Sequence, residues 1–122
     1  MKQLSHIELS NELIKKITSY FPSKKYTTQS HLFYEGQVPI SGYLILEGSI
    51  QISKKRKLKK LLNSGHLLGV FELLNKKPIG ISAEVYPNTE ICFLDRTTML
   101  ELSNSPDSEL FQLFKMFTEC TS

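Results

Sequence analysis

Three histidines are the first candidates for chemistry, because imidazole is a general base and a metal ligand near neutral pH. They are His6, His31 and His66, and they are scattered along the chain without a matching carboxylate at metal-ligand spacing. A metal centre in a small β-sheet would need clustered His and Glu on neighbouring strands. No Ser, His and Asp order can be argued from the spacing either. We therefore expect no enzyme, no metal and no cofactor, with His31 and His66 at the surface or in turns.

The two cysteines are too few for a disulfide scaffold. Cys92 lies in the apolar run Ile91-Cys92-Phe93, which predicts a small core residue. Cys120 lies near the end of the chain, and nothing around it lowers the pKa of its thiol in an obvious way. Neither cysteine is expected to act as a nucleophile.

A basic run follows the middle of the chain. Six basic residues occupy positions 54–60, namely Lys54, Lys55, Arg56, Lys57, Lys59 and Lys60. One interpretation is a solvated hairpin tip that keeps a sheet edge from pairing with other chains. The other is a patch for an acidic protein surface, an anionic lipid or a nucleic acid. No aromatic residues alternate with the lysines, so base stacking has no support.

An apolar surplus marks the C-terminal part of the chain. Its predicted interface residues are Leu110, Phe111, Leu113, Phe114 and Phe117. The stripe is wider than one side of a small sheet can cover. Exposed patches of this kind mark interfaces, so we expect it to bury against a second copy or a protein partner.

These residues need a scaffold, and the local patterns predict one. A helix is expected at about 7–21, with Ser10 as N-cap and Pro22 as its limit. A β-roll is expected at about 24–95, and C-terminal helices at about 96–119, with Asp95 as an N-cap. The whole of 1–122 is expected to form one domain.

The centre of the predicted sheet is the stretch from Tyr43 to Ile52. An apolar run of strand formers ends at Gly48, and Ile50 and Ile52 then alternate with polar residues, which is the period of a half-buried strand. The glycines are interpreted as corners of a rolled antiparallel sheet, at Gly36, Gly42, Gly48, Gly65, Gly69 and Gly80. The fold class is therefore mainly β, a small antiparallel β-roll or jelly-roll with an N-terminal helix and C-terminal helices.

Composition limits the functional classes further. The chain has 122 residues, 40% hydrophobic and 22% charged, with a formal net charge of +3. These are ordinary globular values. No apolar run approaches the roughly 18 residues needed to cross a bilayer, and the polar N-terminus is not a secretory signal. We expect a cytoplasmic protein without a membrane span.

The stretch from Gly36 to Arg96 resembles the cyclic nucleotide-binding domain of the catabolite-activator (Crp/Fnr-type) regulators. The resemblance rests on Gly36, on the Tyr43–Ile50 segment, on Gly65-His66-Leu67-Leu68-Gly69, on Ser82-Ala83 and on the closing strand Glu90–Arg96. It implies a β-roll that carries a ligand cassette. In the family a dimer helix leads into a helix-turn-helix domain. Because this chain ends at Ser122, we expect no sequence-specific DNA binding.

The ligand cassette departs from the family pattern. The resemblance implies a Glu after the glycine, which takes the ribose hydroxyl, and an Arg before Ser-Ala, which pairs with the cyclic phosphate. Val70 follows Gly69 here, and Ile81 precedes Ser82. We interpret the pocket as vestigial, formed by Gly69, Val70, Phe71, Ile81, Ser82 and Ala83.

The resulting hypothesis is a degenerate cyclic nucleotide-binding-like domain that binds another protein as a non-catalytic signalling or scaffold module. A homodimer through the C-terminal helix is possible, and cyclic nucleotide binding is not expected. Two alternatives stay open. One is a sensor of a different small molecule in the altered pocket, and the other is electrostatic docking through Lys54–Lys60.

Overall fold

Nine strands in two antiparallel sheets dominate the computed structural model, which describes residues 6–55, 57–102 and 112. The strands are β1 (His6–Glu8), β2 (Ser23–Tyr26), β3 (Ser30–Phe33), β4 (Gly42–Glu47), β5 (Ser49–Lys54), β6 (Leu58–Asn63), β7 (His66–Leu68), β8 (Ser82–Val85) and β9 (Thr89–Leu94). The helices are α1 (Asn11–Thr18), α2 (Val70–Asn75) and α3 (Arg96–Leu102). The predicted fold class, a β-roll with flanking helices, is confirmed.

The strand order explains how the roll closes. One sheet has the order β1-β7-β4-β9-β2, and the other has the order β3-β8-β5-β6. Strand β4 enters the first sheet and β5 enters the second, although only Gly48 lies between them. The chain therefore passes from one sheet to the other at this glycine, which has a φ of +86°.

Two hydrophobic clusters lie on opposite faces of the five-stranded sheet. Alternation along β4 separates them, because Leu44 belongs to the first cluster, whereas Tyr43 and Ile45 belong to the second. The first also contains Ile17 of α1 and Met99 of α3, so it fills the helix side. The second contains the inward residues of the other sheet and fills the interior of the roll.

The N-terminal helix is shorter than the predicted 7–21. It begins at Asn11, and residues 6–8 form a strand that pairs with β7 instead. The predicted cap is confirmed, because the Leu13 N–H donates to the Ser10 hydroxyl at 3.3 Å. Phe21 lies beyond the helix end but is still buried in the first cluster.

The predicted helix after Asp95 is confirmed as α3. Its first turn is capped by the Asp95 carboxylate, which accepts from the Thr98 N–H at 2.9 Å. Apart from position 112, the rest of the predicted C-terminal helices lies outside the described residues. The predicted interface residues Leu110, Phe111, Leu113, Phe114 and Phe117 also lie there.

Candidate functional site

The first part of the predicted cassette is the turn into α2. Gly69 takes a left-handed conformation with φ +77°, and its carbonyl accepts from the Leu73 N–H at 2.9 Å. Val70 begins the helix and is 1% exposed, in the helix-side cluster. A Cβ added to Gly42 would come within 2.6 Å of Val70 Cγ2. The absence of a side chain at Gly42 therefore leaves the space that Val70 fills.

The next two residues of α2 differ in their surroundings. Phe71 is half-buried, and the Lys77 ammonium lies 5.6 Å from the centroid of its ring. Glu72, the next residue of this short helix, is buried. The arrangement places a cation against the aromatic ring at the helix surface.

The second part of the cassette lies at the start of β8, where buried and half-buried side chains alternate. Ile81 is 7% exposed and Ala83 is buried, and both belong to the interior cluster. Ser82 is half-buried, and its hydroxyl accepts from the Glu35 N–H at 2.8 Å. The structure therefore brings Ile81 and Ala83 together inside the roll, whereas Val70 packs on the helix side of the five-stranded sheet.

Sequence reasoning missed the residues that face Ser82. The Glu35 carboxylate accepts from the Lys55 N–H at 2.8 Å, and Lys55 has a left-handed φ of +54°. Glu35 thus links the start of β8 to the hairpin between β5 and β6. A glutamate before a glycine carries no local signal for this long-range contact.

An open groove of about 630 Å³ lies beside this link. It is lined by Tyr34, Glu35, Gly36, Lys55 and Ser82. The Tyr34 side chain is 53% exposed, and its ring is stacked on His31 at 4.6 Å between centroids. The groove therefore offers an aromatic ring, a cation, a carboxylate and a hydroxyl to a ligand. Its volume lies in the range of small-molecule sites, which is roughly 300–1,000 Å³.

The basic run lies where it was predicted, around the hairpin of β5 and β6. Lys55, Lys57, Lys59 and Lys60 are exposed and Lys54 is half-buried, whereas Arg56 lies outside the described residues. A second, smaller cavity of about 110 Å³ opens beside this hairpin. Its lining comprises Ile52, Ser53, Lys54, Lys59, Lys60 and Ile81.

His31, His66 and Cys92 lie on three different strands, β3, β7 and β9. His31 is exposed on the edge strand β3, and His66 Nδ1 is 3.1 Å from the Asn63 carbonyl oxygen. Cys92 is fully buried, as predicted, and burial followed by the charge of Glu90 raises the pKa of its thiol to about 11. Within the described residues, no three His, Cys, Asp or Glu side chains converge on a common metal position.

None of the described helices combines the length and the apolar character that spanning a bilayer requires.

Comparison with protein families gives one match. The model of the cyclic nucleotide-binding domain matches residues 23–105, which is more than half of the chain. No curated protein matches in sequence. The matched region covers the strands from β2 to β9 and helix α3, and thus both parts of the cassette.

Solved structures share the fold. The catabolite activator protein of Thermus thermophilus superposes with a TM-score of 0.70 at 25% identity, over 88% of this chain and 52% of that one. This chain thus spans about half of that protein. A structure from work on a cyclic-GMP-dependent signalling pathway in bacterial phytopathogenesis gives a TM-score of 0.79 at 17% identity, over 89% of both chains. The N-terminal domain of a Streptomyces coelicolor A3(2) transcriptional regulator gives 0.67 at 15%, over 89% and 81%.

Proposed function

Because this chain belongs to the cyclic nucleotide-binding domain family, we propose that it is a regulatory module which has lost nucleotide binding and binds another protein. It performs no catalysis in this role. The proposal rests on one observation above all. The cassette positions that would hold a ribose and a phosphate carry apolar side chains, and Val70 and Ile81 are both buried in packed hydrophobic clusters.

Burial at these positions opposes an anionic ligand. The interior cluster holds Phe33, Tyr43, Ile79 and Ile81 with little exposure. A phosphate that entered here would lose its water and gain no cationic partner from them. The Ser82 hydroxyl, the one polar side chain of the cassette's second part, already accepts from the Glu35 backbone N–H.

The energetic loss can be bounded. A charge-assisted hydrogen bond contributes roughly 1.5–3 kcal/mol net, so losing both anchors weakens binding by about 3–6 kcal/mol. That corresponds to about two to four decades in affinity. A micromolar site becomes millimolar or is lost.

Titration calorimetry with cyclic AMP and cyclic GMP, each raised to millimolar concentration, tests this part of the proposal. We expect no saturable heat. Saturable binding near micromolar concentration would refute it and would indicate that another cation, such as Lys76 or Lys77, replaces the missing arginine.

Protein association is the second part of the proposal. The apolar residues at 110–117 supply the surface for a second copy or for another protein. Light scattering at micromolar concentration is expected to give a dimer mass, and Phe114→Asp is expected to abolish it. A monomer that is unchanged by this substitution would exclude the homodimer and leave either a different protein as the partner or a helix folded back on the sheet.

A second candidate function is a sensor of a different small molecule. The groove of about 630 Å³ at Tyr34, Lys55 and Ser82 favours it, because the groove combines an exposed ring with a cation. A thermal-shift screen with nucleotides and metabolites tests it, since a ligand that binds only the folded state raises the melting temperature. Tyr34→Ala should abolish any shift that arises in this groove.

A further inference from the structure

Strand β6 is the outer strand of the four-stranded sheet. All six of its residues pair with β5 in an uninterrupted register, from Leu58 opposite Lys54 to Asn63 opposite Ser49. Among the residues that the structure describes, no strand pairs with its other edge. Lys59 and Lys60 are exposed, and the Leu61 side chain is 52% exposed. A long, regular and solvent-exposed edge of this kind is a template for another strand.

The charges on this hairpin determine which strand can pair there. Lysines occupy positions 54, 55, 57, 59 and 60. Pairing two copies of β6 would bring these like charges together, so the hairpin opposes self-association along this edge. The same charges attract an acidic strand. The lysine charges do not prevent an acidic strand from pairing with β6, because the backbone groups of its outer edge remain available.

The two faces of β6 carry different chemistry. Lys59 lies opposite Ser53, and Leu61 lies opposite Gln51, so both point away from the interior of the roll. Lys60 lies opposite the buried Ile52 and shares its face. Beside it, the cavity of about 110 Å³ has apolar walls from Ile52 and Ile81 and cationic walls from lysines. A glutamate on a strand added beside β6 can place its carboxylate against these ammonium groups, whereas Ile52 and Ile81 lie further inside the sheet, on β5 and at the start of β8.

We propose that the edge of β6 binds an extended acidic segment of a partner protein, which adds a fifth strand to the four-stranded sheet. The inference rests on the proposed protein-binding function and adds a second binding surface to the apolar residues at 110–117. Main-chain hydrogen bonds supply the binding energy, and alternate side chains supply the specificity. In an antiparallel arrangement the partner carries an apolar residue opposite Leu61, followed by acidic residues opposite Lys60 and Lys59.

The probe is a fluorescently labelled peptide with the core Thr-Val-Glu-Glu-Thr, capped at both ends, and fluorescence anisotropy measures its binding. Two peptides serve as controls. One replaces both glutamates by lysine, and the other keeps every side chain but carries N-methyl groups on alternate amides along the pairing edge. We expect the Thr-Val-Glu-Glu-Thr peptide to bind and neither control peptide to bind. Equal binding of the methylated peptide would overturn strand addition and reduce the contact to charge attraction.

The other sheet provides a matched control for the protein. Strand β2 is also an edge strand, and it carries the exposed pair Lys24 and Lys25. The double variant Lys59→Glu and Lys60→Glu should weaken peptide binding by at least about tenfold, whereas Lys24→Glu with Lys25→Glu should change it less than about twofold. Circular dichroism checks that both variants keep their strands. Equal effects from the two pairs would contradict a site at β6.

Two further probes separate protein from other anions. A single-stranded oligonucleotide and vesicles with an anionic phospholipid are titrated under the same conditions. If either binds through Lys59 and Lys60 while the acidic peptide does not, the proposal is wrong and the hairpin serves that other ligand. Failure of the peptide leaves the calorimetric test of nucleotide loss untouched, so the two proposals fail separately.

Discussion

Four glycines have positive φ values, and the space around each decides what a side chain would do there. At Gly48 an added Cβ would lie 2.7 Å from Thr89 Cα, and Thr89 is itself buried with its hydroxyl bonded to the Ser49 backbone. At Gly36 nothing lies within 4 Å of the same position. A side chain at Gly36 would therefore introduce backbone strain alone, whereas a side chain at Gly48 would introduce backbone strain and a steric clash.

Gly36→Ala and Gly48→Ala form a matched pair for this purpose. Both place an alanine at positive φ, which costs about 1–2 kcal/mol. Gly48→Ala also forces apart the start of β5 and the start of β9, which adds about 1–3 kcal/mol. We expect urea denaturation to give a clearly larger loss of stability for Gly48→Ala. Equal losses would mean that the chain relaxes around the corner at no extra cost.

The Cys92 thiol should be inert in the folded protein. It is buried, its Sγ lies 3.6 Å from the Phe21 carbonyl oxygen, and its pKa is raised to about 11. At about pH 8 the thiol stays protonated, and the thiolate is the reactive form. In a Cys120→Ser variant, an aromatic disulfide reagent should modify Cys92 slowly in buffer and quickly in urea. Equal rates in the two solvents would contradict this burial.

At the scale of elements, two of the three helices within residues 6–102 begin with a side chain that accepts from the first turn. Ser10 accepts from Leu13, and Asp95 accepts from Thr98. The two caps differ in charge, since only Asp95 titrates. Hydrogen bonding from the Thr98 backbone holds the pKa of the Asp95 carboxyl below its ordinary value.

Asp95→Ala should destabilise the protein by about 1 kcal/mol near neutral pH. Because the folded-state pKa is lowered, the contribution of this carboxylate is fully present above its unfolded pKa of about 3.9. It is lost as the pH falls through the lower folded-state value. Urea denaturation at about pH 7 and about pH 3 should show the effect of Asp95→Ala shrinking in acid.

Ser10→Ala is the control, because a hydroxyl cap has no charge to titrate in this range. Its effect, also about 1 kcal/mol, should stay the same at both pH values. An acid dependence of the same size in both variants would assign the change to the rest of the protein.

Local patterns predicted these caps because a cap and its helix are neighbours in sequence. The start of α1 was predicted too early, because residues 6–8 satisfy their backbone by pairing with the distant β7. The link from Ser82 through Glu35 to Lys55 joins three segments that only the folded chain brings together. The buried state of Val70 and Ile81 follows from their apolar side chains, but their separation between two clusters required the strand order.

At the scale of the whole molecule, the five-stranded sheet lies between the two hydrophobic clusters and packs against both. Leu44 and Ile45 are consecutive, fully buried, and face opposite clusters. A perturbation of either face therefore acts on the same backbone. This geometry favours one cooperative unfolding unit over two independent halves.

Leu44→Ala and Ile45→Ala test this cooperativity. Each should lower the free energy of unfolding by about 2–5 kcal/mol, since each leaves a cavity in a packed core. Both variants should unfold in a single transition, with the same midpoint by circular dichroism and by tyrosine fluorescence. A second transition in only one variant would show that its cluster unfolds on its own.

The position of the five-stranded sheet between the two clusters also predicts which amides are slowest to exchange with deuterium. The hydrogen bonds between β4 and β9 lie under side chains on both faces, whereas β6 and β2 each have one edge with no partner strand in the described part of the chain. Amides between β4 and β9 can therefore exchange only when the whole protein opens, and edge amides exchange through local fraying. Isotope exchange at Leu44 and Cys92 thus reports the global stability of the fold. Exchange at Leu62, whose amide faces β5, reports how readily the outer strand frays.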